Sequence, residues 1–214
     1  MAWYDGLRIL YQVPGSFQHL YHGVVWRGNI RKRCVYLTFD DGPVPEVTPQ
    51  LLDLLREEGV HATFFMVGQK AFEYPELKQR VLDEGHVIGN HTYNHLKGTL
   101  YPVGTYMENV AKADKVLDGT RLFRPPYGRL GWREKLRLRR LGYKIILWDV
   151  LTHDYDKNYS AERIMDIVKR YTRNGSIINF HDSIKSGERM LVAVREVIHW
   201  LKQEGYSIDV LSDM

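Results

Sequence analysis

The chain has 214 residues, 44% of them apolar, and a formal net charge of +4, enough for one sizeable core and short for two. Acids and bases are interspersed and no basic stripe interleaves with aromatics, so nucleic acid is not an expected partner, and no apolar stretch approaches the ~20 residues of a membrane span. A single cysteine, Cys34, excludes an internal disulfide and leaves stability to packing.

Residues 1–30 carry Asp5, Arg8, Gln12 and Gln18 and no apolar run of secretory-signal length. Read literally, the chain is cytoplasmic; an envelope-associated setting stays open if a leader has been removed. Residues 1–33 form an N-terminal extension. Its aromatics (Trp3, Tyr4, Tyr11, Phe17, Tyr21, Trp26) are expected to pack on the outside of the body. From residue 34 to 214 strands and helices alternate. Residues 34–39 are β-rich. Thr48 and Pro49 open a helix with Pro at its first position, and Gly59 closes it. A strand over 62–67 follows, then a helix from Pro75 stopped by Gly85 and a short strand through Ile88. Residues 104–117 are helical, 122–123 a strand, 132–141 a helix and 143–148 a strand. Ser160 caps a helix to about Tyr171, with Glu162 in its first turn. Strand 176–180, helix 188–204 and strand 206–211 complete about seven βα units. Such alternation predicts a parallel sheet with helices outside, open or closed into a barrel.

The chemistry-bearing residues fall just past the strand ends. Asp40 and Asp41 follow the first strand; Asn90, His91 and His95 the third; Arg124, Pro125, Pro126 and Tyr127 the fourth. Asp149 and then Asp154 follow the fifth, and His181 and Asp182 the sixth. In α/β barrels the site is built at these C-terminal ends. Adjacent carboxylates in a tight turn point apart, so one of Asp40 and Asp41 can bind a cation while the other accepts a proton; a plain turn accounts for the same residues. His91 and His95 share a face if they lie on one helical turn; two unrelated surface histidines are the bland reading. Two imidazoles and a carboxylate would make an open three-ligand metal site of the catalytic kind. The loop around Pro125 and Pro126 is rigid and can hold Arg124 against a carboxylate. His181 suits proton transfer near neutral pH, or is a core histidine. His61, His86 and His199 read as structural or superficial, and helix 132–140, rich in arginine, as a solvated face.

Five strings occur in order: Thr38 to Pro43 (TFDDGP), His91 to His95 (HTYNH), Arg124 to Gly128 (RPPYG), Trp148 to Val150 with Asp154, and Ile178 to Asp182 (INFHD). Together they resemble the motifs of the polysaccharide deacetylase family, the NodB homology domain or carbohydrate esterase family 4, over about residues 35–210. The resemblance implies an α/β fold, a single distorted (β/α)7-type barrel, as the catalytic domain over residues 34–214. It implies hydrolysis of N-acetyl groups from N-acetylglucosamine-containing glycans, peptidoglycan or chitin-like oligomers, with one divalent metal, foremost Zn²⁺, with Co²⁺, Mn²⁺ or Ni²⁺ as alternatives. It makes Asp40 the general base and Asp41, His91 and His95 the metal ligands. Arg124 orients Asp40, Tyr127 offers its backbone N–H to the oxyanion, Trp148 lines the acetyl pocket, and His181 is the general acid tuned by Asp154. Two positions depart from the family pattern. Asn179 stands where an aliphatic residue commonly encloses the acetyl methyl group, and Leu151 where Asp is frequent. Asn179 keeps an O-acetyl esterase acting on xylan or a similar glycan open as a rival. A non-catalytic glycan-binding domain would have lost a ligand or the base, and all are present. A different barrel hydrolase of the amidohydrolase kind would carry a His-x-His where Asp40 and Asp41 stand.

Overall fold

The computed structural model describes residues 11–15, 18 and 21–211; Trp3, Tyr4, Phe17 and His19 lie outside the described residues. Eight strands form one parallel sheet: β1 Cys34–Asp40, β2 Thr63–Met66, β3 Val87–Asn90, β4 Leu122–Phe123, β5 Lys144–Ile145, β6 Val150–Leu151, β7 Ile177–His181 and β8 Ser207–Ile208. Their order is β5-β4-β3-β2-β1-β7-β6, with β8 added at the start of β1. Around them lie α1 Thr48–Glu57, α2 Gly68–Glu73, α3 Pro75–Asp83, α4 Val103–Val116, α5 Trp132–Arg140, α6 Ala161–Tyr171 and α7 Gly187–Gln203. This curled parallel sheet wrapped by helices is the expected (β/α)7-type barrel. No helix among the described residues is long and apolar enough to cross a membrane.

All seven residues of β1 are buried, as a strand covered on both faces must be. Register sets what each face carries. Phe39 pairs with Phe64 and with Phe180, and the three rings stack at 5.2 and 5.8 Å as one row under the helices. Alternation turns the neighbouring residues to the opposite face. There Thr38 stands beside Asn179, and Asp40 beside His181. A slip of one residue would exchange the two sets, so the phenylalanine row aligns the polar row.

Local signals hold at most helix ends. Thr48 takes the first position of α1 and Pro49 the second, one residue later than expected and still within the first turn, and Gly59 ends the helix with φ +63°. The Ser160 side chain accepts from Arg163 N at 3.3 Å at the start of α6. Helix α2, six residues long, has no sequence signal. Its first N–H groups are satisfied by loop carbonyls, Gly68 N to Thr92 O and Gln69 N to Tyr93 O, both 2.9 Å. The strand expected over 143–148 is broken. Its strand in the main sheet is only Lys144–Ile145, Ile146 bridges to Val25 of the extension, and the chain steps sideways before resuming as Val150–Leu151. The described part of the extension lies along this seam. Val25 N donates to Ile145 O and Leu147 N to Val25 O, while Gly28 N donates to Gly175 O, each at 2.8 Å. Leu151 N donates to Tyr11 O at 2.8 Å, and Trp26 is buried.

Replacing Phe39 with Ala is expected to cost about 3–5 kcal/mol by loss of buried surface and cavity formation. Urea denaturation measures this; a loss below about 1 kcal/mol would show that the row is not the keel of the sheet.

Candidate active site

Asp40 ends β1, and the chain turns sharply at Asp41, whose φ is +81°. The spacing of His91 and His95 predicts one shared helical turn, and the structure does not form it. Residues 91–97 form a loop, bent by positive φ at Thr92 and His95. Side chains replace the missing helical bonds. Asn90 Oδ1 accepts from Thr92 N at 2.8 Å, Thr92 Oγ1 from Leu96 N at 3.0 Å, and Asn109 Oδ1 from Tyr93 N at 2.8 Å. The loop still brings both rings to Asp41. His91 Nε2 is 3.6 Å and His95 Nε2 3.1 Å from Asp41 Oδ1, and one donor atom from each of the three residues lies within 4.8 Å of the others.

This donor set fits a cation. His91 Nδ1 is 2.7 Å from the Arg124 carbonyl oxygen. That oxygen can only accept, so Nδ1 carries the proton and Nε2 presents its lone pair to Asp41. Asp41 Oδ1 is buried, and no donor among the described residues reaches it in hydrogen-bonding geometry. Burial drives His91 down to about 4, so it is neutral, the form that ligates. Burial works to raise the Asp41 carboxyl, but contact with His95 and the nearby His181 and His91 outweigh it and hold Asp41 below the ordinary carboxylate range. Two imidazoles and one carboxylate suit zinc or a neighbouring divalent transition metal.

Arg124 is fully buried, its guanidinium 4.0 Å above the Phe65 ring. Its Nη1 donates to Asp40 Oδ1 at 2.7 Å, to Thr38 Oγ1 at 2.8 Å and to Asn179 Oδ1 at 2.6 Å; Nη2 donates to Leu147 O at 3.1 Å. Asn179 is therefore not an open pocket wall. It is fully buried and its carbonyl end is held by Arg124 and by Thr38 Oγ1 at 3.2 Å. Tyr127 sits at φ +61°, its exposed ring edge-on to His95 at 4.7 Å. Gly128, at φ +63°, faces the Trp148 indole so closely that a Cβ would collide with it. Trp148 thus stands against this loop, 5.8 Å from the Arg124 guanidinium.

His181 ends β7 next to Asp40. Asp154 receives its ring Nδ1 at 2.8 Å through Oδ1 and its backbone N at 2.7 Å through Oδ2. Burial works against the charged imidazole, yet Asp154, with Asp41 and Asp40 behind it, pushes His181 up to about 9. Tyr155, which the motif strings left aside, packs edge-on against His181 at 4.9 Å. An aromatic directly after the tuning carboxylate was the available signal. Asp149 is not in this ring. It lies in the bend just before the short β6 rather than at the end of β5, and its carboxylate is taken by Arg173 at 2.6 Å and Ser176 at 2.8 Å. The expectation fails because β5 ends at Ile145 and does not run on to Trp148. Burial and the charge of Asp41 push Asp182, deep behind the first loop, up to about 7. His86 and His199 have structural partners: His86 Nδ1 accepts from Ala62 N at 3.1 Å, and His199 pairs with Glu58 at 2.8 Å.

The elevated His181 pKa has a definite sign. Against an ordinary value of 6.5, a folded value of about 9 stabilises the fold fully below pH ~6.5, and that contribution is lost as pH rises through about 9. NMR titration of the metal-free protein is expected to show the His181 ring still protonated at pH 8. In Asp154→Asn the opposed burial wins and the ring is expected to be neutral at pH 7. A wild-type ring that loses its proton near its ordinary value would contradict the pairing.

The polysaccharide deacetylase family model matches residues 27–146. A peptidoglycan-N-acetylglucosamine deacetylase of Bacillus cereus is 34% identical over 202 residues, covering 89% of this chain and 92% of that protein. A chitooligosaccharide deacetylase of Azorhizobium caulinodans is 32% identical over 83% of this chain and 92% of its own length. A crystal structure of a peptidoglycan N-acetylglucosamine deacetylase superposes with a TM-score of 0.87 at 32% identity, covering 93% of this chain and 95% of that one. With the five motifs gathered at one mouth of the barrel, the chain belongs to the polysaccharide deacetylase family and is a carbohydrate deacetylase, a hydrolase.

Proposed function

We propose that the protein removes N-acetyl groups from N-acetylglucosamine units of a glycan, peptidoglycan or a chitin-like oligomer, releasing acetate, with residues 34–214 as the catalytic domain and 1–33 as an extension to it. One observation carries the reading. Asp40 and His181 lie side by side on adjacent strands, each with its own buried partner, next to the ligand set of Asp41, His91 and His95. The relatives named above, which deacetylate glycans by name, support the substrate class.

In this reading a divalent cation, zinc foremost, supplies a Lewis acid that polarises the scissile carbonyl. Asp40 takes a proton from the attacking water. Arg124, 2.7 Å away, keeps the Asp40 carboxylate aimed. The backbone N–H of Tyr127 faces the developing oxyanion, where fixed dipoles act most strongly. His181, charged through Asp154, hands its proton to the departing amine nitrogen, without which the amine is a poor leaving group. Trp148 and Tyr155 flank the acyl group. Asn179, fully buried with its Oδ1 held by Arg124, supports Asp40 through that guanidinium.

Acetate release is expected from N-acetylglucosamine oligomers in preference to acetylated xylan, with mass spectrometry showing loss of one acetyl group per event. Preference for the xylan ester would replace the amide reading. Asp40→Asn and His181→Ala are each expected to lose at least about 10²-fold in rate while retaining the fold by circular dichroism. Near-normal turnover in either purified variant would overturn its role. Chelation is expected to abolish activity, and Zn²⁺ or Co²⁺ to restore it.

A further inference from the structure

Asp182 lies outside the ligand set and outside the proton-transfer pairs, yet it is fully buried and turned toward the Asp40–Asp41 turn. Its backbone N donates to Asp40 O at 3.0 Å. Its Oδ1 accepts from Gly42 N at 2.9 Å. One residue thus grips the backbone on both sides of Asp41. Its other oxygen, Oδ2, accepts from Thr48 Oγ1 at 2.8 Å, and Thr48 Oγ1 accepts in turn from Val44 N at 2.7 Å. The clamp therefore runs from the end of β7 through the turn to the start of α1. Gly42 has no room for a side chain, since a Cβ there would overlap the Asp182 carboxylate. Lys70 Nζ donates to Asp41 O and Val67 N to Gly42 O, at 2.8 and 3.0 Å, closing the cage from the α2 side.

We infer that Asp182, with Thr48, is a positioning residue for the cation site: it holds Asp41 in the left-handed conformation that points its carboxylate at His91 and His95. The inference rests on the cation reading of those three residues. Left-handed backbone at a non-glycine residue is strained and persists only where its surroundings over-determine it. A buried carboxylate is itself costly unless hydrogen-bonded, and both Asp182 oxygens are bonded to the turn or to its brace. Because Asp182 directly follows the proton donor His181, the same clamp also fixes the spacing between β7 and the turn.

The test uses the full chain and Co²⁺ alone as probe. Wild-type protein is expected to bind one Co²⁺ with a visible d–d spectrum. Asp182→Asn keeps the volume but turns an N–H₂ toward the Thr48 hydroxyl. It is expected to weaken Co²⁺ binding by about 10–100-fold, the range typical of residues that orient ligands, and to alter the spectrum, with the melting temperature of the metal-free protein nearly unchanged. Thr48→Val is expected to move affinity in the same direction, and Thr48→Ser, which retains the hydroxyl, to restore it; this pair decides the matter if Asp182→Asn folds poorly. Co²⁺ affinity within about twofold of wild type and an unchanged spectrum in Asp182→Asn or Thr48→Val, whatever happens to the melting temperature, would reduce the clamp to plain scaffolding. Failure of the wild-type chain to bind Co²⁺ is a different result and would remove the cation reading itself.

Discussion

Arg124 is the point through which both halves of the site are joined. Its carbonyl oxygen fixes the His91 ring and its guanidinium fixes the Asp40 carboxylate. The tautomer of the proposed metal ligand His91 and the orientation of the proposed base Asp40 thus depend on one residue, whose backbone N in turn donates to Asn90 O at 3.0 Å. Full burial makes this arrangement sensitive. Removing one partner of a buried ion pair costs about 3–5 kcal/mol, because the survivor is left charged and dry. Phe65 below and the Ile146 and Leu147 carbonyls beside the guanidinium leave Arg124 little freedom to adopt another pose.

The same residue type works in two charge states within one mouth. His91 and His181 are both shielded from water, and shielding alone lowers an imidazole pKa. At His91 a carbonyl partner stabilises the Nδ1–H tautomer, and the ring stays neutral, ready to ligate. At His181 the partner is the Asp154 carboxylate, and the ring is charged, ready to give up a proton. The division of labour is set by what each Nδ1 faces, a neutral oxygen or a charged one.

Backbone strain is concentrated at the same mouth. Asp41, Thr92, His95, Tyr127 and His153 have positive φ without being glycine, and all lie in loops that follow strands of the barrel. Each such conformation costs about 1–3 kcal/mol, to be offset by the rest of the fold. The offset comes from the apolar row under the helices and from polar braces such as Asn90, Asn109 and Asp182. Rigidity of the loops is therefore derived from the sheet beneath them.

What the sequence by itself determined was the alternation of elements and the placement of Asp40, Asp41, His91, Arg124 and His181 past apolar strands, because periodicity and turn residues are local properties. The family strings then supplied the roles. Tertiary structure decided the rest. The six-residue α2 forms because loop carbonyls cap it, and the His91–His95 segment is a loop because Asn90 and Asn109 bind its N–H groups. Asp149 leaves the site because the chain sidesteps between β5 and β6. Asn179 joins the Arg124 network because strand register places it there, and Tyr155 reaches the His181 ring from the turn that follows β6. Apart from the Asn90 brace, which is local, these outcomes depend on partners distant in the chain, and no local pattern encodes a contact whose other half lies far along it.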